Sequence, residues 1–280
     1  MPLLHIRDLN IEFRRHAVEP MKAVQHFSID LEAGESMAIV GESGSGKSTA
    51  ALALARLLPE PPATITATEL KLNGHDILAM NERELRKVRG KEIAYVFQEP
   101  STSLNPVLTV CTQMVEALKL HRPEVQNLDA EIITWLDKVG IVDPEKRLRA
   151  YPHELSGGMQ QRVMIAMALC TQPKLLIADE PTTALDVTIQ KQIIDLLAQL
   201  RRDLGMSIIL ITHNFGIIRD IADKVAVMFR GQIVEYGPVS EVLANPQHAY
   251  TKALLDCVPR MGAKKHRLHA IDHAALEAAI

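Results

Sequence analysis

The run GESGSGKS, Gly41 to Ser48, constrains this chain more than any other stretch of its sequence. It matches the spacing G-x-x-x-x-G-K-[ST] and follows an apolar run, Ser36 to Val40, that is typical of a buried strand. Glycines let backbone N–H groups turn inward around a phosphate chain, and Lys47 adds a positive charge. The stretch from Thr49 to Leu58 is predicted to open a helix whose positive end faces the anion.

The pattern therefore predicts a phosphate-binding loop between a strand and a helix, with a purely structural glycine turn as the alternative. The Ser48 hydroxyl is placed to reach a magnesium ion. The residues expected to bind phosphate are Gly41, Glu42, Ser43, Gly44, Ser45, Gly46, Lys47, Ser48 and Thr49.

Composition indicates an ordinary folded protein without a strong electrostatic preference. The 280 residues are 47% apolar and 23% charged, and the formal charge of −3 gives no bulk attraction to nucleic acid or to an anionic membrane. Three cysteines, Cys111, Cys170 and Cys257, are too far apart for a CxxC site, which fits a reducing cytoplasm. We expect no signal peptide and no membrane-spanning segment, because no stretch approaches about 20 apolar residues.

Apolar runs that read as strands alternate with longer helical patterns. This alternation predicts an α/β fold with a mostly parallel core sheet covered by helices. The long gap between Phe97 and Lys174 predicts an inserted helical subdomain, approximately residues 99–171. Leu3 to Arg7, Ile11 to Phe13 and Phe27 to Leu31 predict an N-terminal antiparallel β patch. The other predicted strands are Ser36–Val40, Ile93–Phe97, Lys174–Ala178, Ser207–Thr212 and Lys224–Phe229.

Two adjacent carboxylates, Asp179 and Glu180, end an apolar run that begins at Leu175. Ligands of α/β sheets bind at the carboxyl ends of strands, so this position favours a functional role over a solvated acidic loop. Asp179 is predicted to hold a magnesium ion, and Glu180 to polarise an attacking water molecule.

The run LSGGMQQR, Leu155 to Arg162, precedes a predicted helix from Val163 to Leu169, which Ser156 can cap. This run, in its position between the glycine loop and the carboxylates, resembles the signature of the ABC-type ATPases. In that family the serine and glycines of this run, here Ser156, Gly157 and Gly158, contact ATP held by a second subunit. The resemblance implies a P-loop NTPase that hydrolyses ATP with Mg²⁺ and works as a dimer.

The resemblance assigns roles to four further residues. Gln98 matches the glutamine that senses magnesium and water, and His213 matches the histidine that contacts the terminal phosphate. Asp186, in the run Ala184-Leu185-Asp186, lies in the loop that communicates across the dimer. Phe13 matches the aromatic residue on which adenine stacks, although an apolar strand residue is the alternative. The ABC ATPase domain is expected over residues 1–260, followed by a C-terminal tail over 261–280.

Finer features resemble the branch of ABC importers for peptides and nickel. The resemblance implies an identical or similar second ATPase subunit, integral membrane permease subunits, an indirect link to a periplasmic solute-binding protein, and no nucleic acid. It places the chain peripherally on the cytoplasmic face of the bacterial inner membrane. The features are the runs Phe97–Pro100, Ser103–Pro106, Gly157–Met159, Arg162–Ala166 and His248–Thr251.

The chain departs from the family pattern at three places. Asn214 stands where relatives usually carry aspartate, which removes a charge near the switch histidine. Cys257 is alone in a region where many branch members have a cysteine-rich segment, so no iron–sulfur cluster is expected. The tail stops early, which leaves its regulatory role open; His266, His269 and His273 in it are spaced to bind a metal only if the tail is helical.

Three other functions compete with import. An ABC exporter is the nearest. A soluble ABC ATPase acting on nucleic acid or ribosomes would usually carry a coiled-coil insertion, a zinc hook or a second ATPase half. A small-molecule kinase would need an acceptor pocket and a lid, and the LSGG run argues against it.

Overall fold

A computed structural model describes residues 2–14, 19–183 and 185–257 of the chain. The strands are β1 Leu4–Phe13, β2 Met21–Leu31, β3 Ser36–Val40, β4 Ala63–Thr66, β5 Glu69–Leu72, β6 His75–Asp76, β7 Ile93–Val96, β8 Leu175–Asp179, β9 Ser207–Thr212, β10 Lys224–Phe229 and β11 Gln232–Pro238. The helices are α1 Lys47–Ala53, α2 Glu82–Val88, α3 Pro100–Ser103, α4 Val110–His121, α5 Leu128–Lys138, α6 Pro144–Arg147, α7 Gly157–Leu169, α8 Val187–Leu204, α9 Phe215–Ile221, α10 Val239–Ala244 and α11 Ala249–Cys257, with a 3-10 turn at Pro152–Glu154.

The chain divides into two compact units. The first unit takes the described residues of 1–78 and 210–280, and the second takes those of 79–209. The boundary falls inside β9. The segment predicted as a helical insertion, about residues 99–171, lies within the second unit.

The first unit contains the expected antiparallel patch. Strands β2, β4 and β5 pair antiparallel with β1, and β6 pairs with β5. The prediction of separate strands at Leu3–Arg7 and Ile11–Phe13 was wrong, because β1 runs through both. Its register against β2 shifts around Leu9, next to Asp8, whose φ of 54° kinks the strand without ending it. The short strands β4, β5 and β6 were not predicted.

The first unit also holds β3, β10 and β11. β10 pairs parallel with β3 and antiparallel with β11. Every residue of β3 is buried, as its continuous apolar run predicts. A hydrophobic core joins these strands to helices α9, α10 and α11; its buried members are Ala38, Val40, Phe215, Ile218, Val225, Val227, Phe229, Val239, Val242 and Tyr250.

The second unit combines a parallel strand pair, β7 and β8, with helices α2 to α8. Trp135 of α5 is fully buried, and its Nε1 donates to Glu131 Oε1 at 2.9 Å. Arg122, directly after α4, donates to Glu131 and also to the carbonyl of Cys170, 3.2 Å away, at the end of α7. One guanidinium therefore links α4, α5 and α7.

Most predicted elements are present with shifted ends. β9 and β10 have the predicted bounds. Helical patterns over Val107–Leu120, Ala130–Val139 and Val187–Arg202 predict three helices, which correspond to α4, α5 and α8. α8 begins at Val187 as predicted, and the other ends of these helices are shifted by a few residues. The helix predicted from Val163 begins six residues earlier, at Gly157. Asp179 was predicted to follow its strand but is the last residue of β8. No helix among the described residues is long and apolar enough to cross a membrane.

Candidate functional site

The loop from Gly41 to Gly46 joins β3 directly to α1 in the first unit. The helix was expected from Thr49 to Leu58, but it begins at Lys47 and ends at Ala53. Its N-cap is Gly46, with a φ of 99° that favours glycine. Lys47 and Ser48 therefore lie in the first helical turn, where backbone N–H groups are available to an anion.

Two of the loop glycines are required by close packing against the chain's own backbone. A Cβ on Gly41 would lie 2.2 Å from the Met228 carbonyl oxygen, and one on Gly46 would lie 2.5 Å from that of Ala23. Gly44 has open space around it but a φ of 81°. The tip of the loop, Ser43 and Gly44, is exposed to solvent.

Lys47 is buried and points back along its own loop. Its Nζ donates to the carbonyl oxygens of Gly41 at 2.8 Å and Glu42 at 2.7 Å, and Ser45 Oγ lies 3.5 Å away. The ammonium group is thus held at the loop by backbone carbonyls. Ser48 and Thr49 are half-buried on the same turn. The Lys47 ammonium group, the N–H groups of the first helical turn and the hydroxyl groups of Ser48 and Thr49 together fit a phosphate chain with its metal ion.

Two other predicted residues belong to the first unit. Phe13 is the last residue of β1, half-buried and paired with Met21 and Ala63 on the neighbouring strands. His213 is exposed and directly follows β9. Asn214 is the N-cap of α9, because its Oδ1 accepts from the Gly216 N–H at 2.8 Å. The roles assigned to Phe13 and His213 remain predictions.

The second unit brings Gln98 and Glu180 together. In the parallel pair of β7 and β8, Val96 lies opposite Ala178. Gln98 and Glu180 each come two positions later, so both lie at the same edge of the sheet. Gln98 Nε2 donates to Glu180 Oε2 at 3.3 Å. Asp179 is half-buried at the end of β8.

Glu180 has a second partner that the sequence did not predict. Thr183 Oγ1 donates to Glu180 Oε2 at 2.9 Å. Glu180 itself has a φ of 44°, an uncommon conformation for a residue other than glycine. Such conformations are often found at functional sites. The signal for Thr183 was its position three residues after the carboxylate, within the turn that follows β8.

The signature run, Leu155 to Arg162, also lies in the second unit, and two of its residues are exposed to solvent. Ser156 caps α7 as predicted, with its Oγ accepting from the Met159 N–H at 3.4 Å. Ser156 and Gly157 are exposed, and a Cβ on Gly157 would meet nothing within 4 Å. Gln160, which was not predicted, donates to the carbonyl oxygens of Pro152 and Leu155 and so fixes the backbone before the helix.

Asp186 is the N-cap of α8, its Oδ1 accepting from the Ile189 N–H at 3.0 Å. Ala184, two residues earlier, lies outside the described residues, as do His266, His269 and His273. Among the described residues, no group of three or more His, Cys, Asp or Glu side chains is arranged to hold a metal ion.

A further contact to the loop Gly41–Gly46 comes from the C-terminal part of the first unit. The Glu42 N–H donates to the Tyr250 hydroxyl at 3.0 Å. Tyr250 belongs to the run His248–Thr251, which the sequence singled out only as a subfamily feature. No local pattern connects two residues so far apart in the chain.

Two family models match the sequence. The model described as ABC transporter matches residues 24–183. The model described as oligopeptide/dipeptide transporter, C-terminal region, matches residues 234–279.

Similar curated proteins carry related names. The peptidoglycan transport ATP-binding protein YejF of Agrobacterium fabrum is 52% identical over 92% of this chain. The oligopeptide transport ATP-binding protein OppD of Bacillus subtilis is 48% identical over 92%, and the dipeptide transport ATP-binding protein DppD of Escherichia coli is 46% identical over 97%. The matched region spans 47% of the length of the first relative and 72% and 83% of the other two.

Solved structures agree with these matches. The cbiO1 protein of Clostridium perfringens, part of the ABC transporter complex cbiONQ, superimposes with a TM-score of 0.73 at 28% identity, covering 87% of this chain and 91% of that one. The ATP-binding cassette MJ0796, in a dimeric post-hydrolysis state bound to ADP and Pi, gives a TM-score of 0.75 at 25% identity, covering 84% and 98%. The chain therefore belongs to the ABC transporter family, and it carries that family's oligopeptide/dipeptide transporter C-terminal region.

Proposed function

We propose that this chain is the ATP-hydrolysing subunit of an importer for peptides or a related small solute. It works peripherally on the cytoplasmic face of the bacterial inner membrane, with a second ATPase subunit and an integral membrane permease fed by a periplasmic binding protein. Support for the cargo class comes from the C-terminal region and from the transport names of the relatives.

The first unit supplies the binding of ATP in this proposal. Residues Gly41 to Thr49 bind the phosphates, chiefly through backbone N–H groups at the start of α1, and Lys47 adds the positive charge that balances them. Phe13 provides a ring face for adenine. His213 contacts the terminal phosphate, for which its exposed position directly after β9 leaves room.

The second unit supplies the hydrolytic carboxylate. Glu180 accepts a proton from the attacking water, and Gln98 orients the same water through its amide. The observation that carries this assignment is the contact of 3.3 Å between Gln98 Nε2 and Glu180 Oε2. Thr183 holds the same oxygen of Glu180 and keeps the carboxylate in one orientation.

Ser48, Gln98 and Asp179 are the residues proposed to hold Mg²⁺. Their hydroxyl, amide and carboxylate oxygens are the hard ligands that this ion prefers. When bound, Mg²⁺ neutralises charge that develops on the phosphates.

The second subunit completes the site in this proposal. Ser156, Gly157 and Gly158 of one subunit contact the terminal phosphate held by its partner, and Asp186 lies in the loop that connects the two sites. Support comes from the exposure of Ser156 and Gly157 and from the open space at the Gly157 Cα. Because the first turn of α7 begins there, its N–H groups are oriented for an anion.

The test of hydrolysis is Glu180→Gln in the complex purified with its native partner subunits. We expect ATP binding within about threefold of the parent and turnover reduced by about 10² or more, the usual contribution of a general base. Glu145→Gln, at an exposed carboxylate of α6, is the matched control and should hydrolyse ATP normally. Parental turnover by the Glu180→Gln complex would refute the assigned base.

The test of the transport role is affinity purification of the intact membrane complex followed by identification of its subunits. Import predicts a permease in the purified complex, and a binding-protein gene beside the permease genes. Recovery of nucleic acid or ribosomes without a permease would instead support a soluble ABC ATPase. A permease without any associated binding protein would support export.

A further inference from the structure

The run His248-Ala249-Tyr250-Thr251 comprises the residue before α11 and the first three residues of that helix. The two carboxylate oxygens of Glu235, on β11, accept from the backbone N–H groups of Gln247 at 2.7 Å and His248 at 3.1 Å. His248 Nδ1 in turn accepts from the Tyr250 N–H at 3.1 Å. These bonds fix the start of the helix against β11, so the Tyr250 side chain leaves the helix in one direction.

Tyr250 is fully buried beside the phosphate loop. Its ring packs on Phe229 with the ring centres 4.3 Å apart, and its hydroxyl accepts from the Glu42 N–H at 3.0 Å. Burial raises the pKa of Tyr250 to about 12, so the hydroxyl stays neutral at physiological pH.

The hydrogen bond acts on one particular peptide group. The carbonyl of Gly41 and the N–H of Glu42 belong to the same planar unit. Lys47 Nζ holds the carbonyl end at 2.8 Å, and Tyr250 holds the N–H end. Rotation of this peptide would break both bonds, so the tyrosine also fixes the carbonyl that orients the lysine.

We propose that Tyr250 is a positioning residue for the phosphate loop, through which the C-terminal region fixes the Gly41–Glu42 peptide and the Lys47 ammonium group for ATP. The proposal rests on the proposed function only in taking this loop as the ATP site. Tyr250 touches the loop backbone and is assigned no contact with ATP. This role accounts for a tyrosine two residues after His248 in the run His248–Thr251.

The test compares Tyr250→Phe with Tyr236→Phe. The first change removes the hydroxyl from the loop while the ring stays in place. The second removes a hydroxyl that donates to the Asp30 carbonyl at 3.1 Å, elsewhere in the same unit. In the full-length chain, calorimetry with ATP and Mg²⁺ should give a Kd raised about three- to tenfold for Tyr250→Phe, since one backbone donor loses its partner. Tyr236→Phe should remain within about twofold of the parent.

Amide hydrogen exchange, read by mass spectrometry without nucleotide, separates positioning from general destabilisation. Tyr250→Phe should accelerate exchange in peptides covering Gly41 to Gly46 and leave β10 at the parental rate. Equal acceleration in β10, or unchanged loop exchange with an unchanged Kd, would overturn the proposal. If the parent chain itself fails to bind ATP, the proposed function falls, whereas the exchange result still reports on the tyrosine.

Discussion

Lys47 shows how one side chain depends on backbone geometry around it. Lys47 is 4% exposed, and its ammonium group is held by the carbonyls of Gly41 and Glu42. Burying a charge is costly unless polar groups compensate it. The loop backbone is therefore part of the cation site, and its glycines matter through the positions they give to these carbonyls.

Gly41→Ala tests this dependence against Gly34→Ala. Both positions have positive φ values, 151° and 79°, but only at Gly41 would a Cβ collide with backbone, at 2.2 Å from the Met228 oxygen. We expect Gly34→Ala to lower the free energy of unfolding by about 1 kcal/mol, and Gly41→Ala to lower it by about 1–3 kcal/mol more. Urea unfolding measures both values. Equal losses would show that the collision is relieved without cost.

At the scale of single elements, helix N-caps fix the positions of several candidate residues. Ser156, Asp186 and Asn214 cap α7, α8 and α9 through side-chain oxygens. Each cap directs the chain into a helix at the end of a loop that carries a predicted site residue. The departure at Asn214 thus keeps the capping function while it removes a charge.

Asn214→Asp and Asn214→Ala distinguish the cap from the charge. Aspartate can also accept from the Gly216 N–H and adds a favourable charge at the helix start. The free energy of unfolding should therefore be unchanged or raised by up to about 1 kcal/mol. Alanine removes the acceptor and should lower the free energy of unfolding by about 1 kcal/mol. Thermal and urea unfolding give these differences. Equal stability of the alanine variant and the parent would argue against the cap.

Cooperative unfolding of the molecule at low pH depends on carboxylates whose pKa values the fold lowers. Burial raises the pKa of Glu131, but hydrogen bonds from Trp135 and Arg122 outweigh it, and the net direction is down. A hydrogen bond from Arg7 lowers the pKa of Asp30 despite its partial burial. Their contribution to stability is complete above the unfolded-state values, about 4, and is lost as pH falls through the lower folded-state values.

Glu131→Gln should make this loss visible. At pH 7 the variant should unfold at a lower urea concentration than the parent, because Arg122 loses one of its two charged partners and keeps only Glu124. As pH falls below the unfolded-state pKa and through the lower folded-state pKa of Glu131, the parent carboxylate becomes protonated, so the difference between the two midpoints should shrink. The measurement is urea unfolding from pH 7 to pH 3. A constant difference across that range would mean that Glu131 contributes by packing and not by charge.

How well each feature was predicted depended on the separation, along the chain, of the residues that form it. The glycine loop between β3 and α1, the N-cap of α7 and the buried strand β3 depend on neighbours within about ten residues, and all three structural features were predicted from the sequence. The bounds of β9 and β10 follow from continuous apolar runs. Three strands of the N-terminal sheet, β4, β5 and β6, were missed because they are short and carry few buried residues.

The sequence by itself determined the family, the glycine loop between β3 and α1, and the order of the strands and helices that carry the candidate site, because local spacing is sufficient for these. Only the tertiary structure decided that Gln98 meets Glu180, which requires the parallel register of β7 and β8. The same holds for the bond between Tyr250 and Glu42 across 208 residues. Such contacts depend on how distant segments pack, and a linear pattern does not specify which of many possible partners a buried polar group finds.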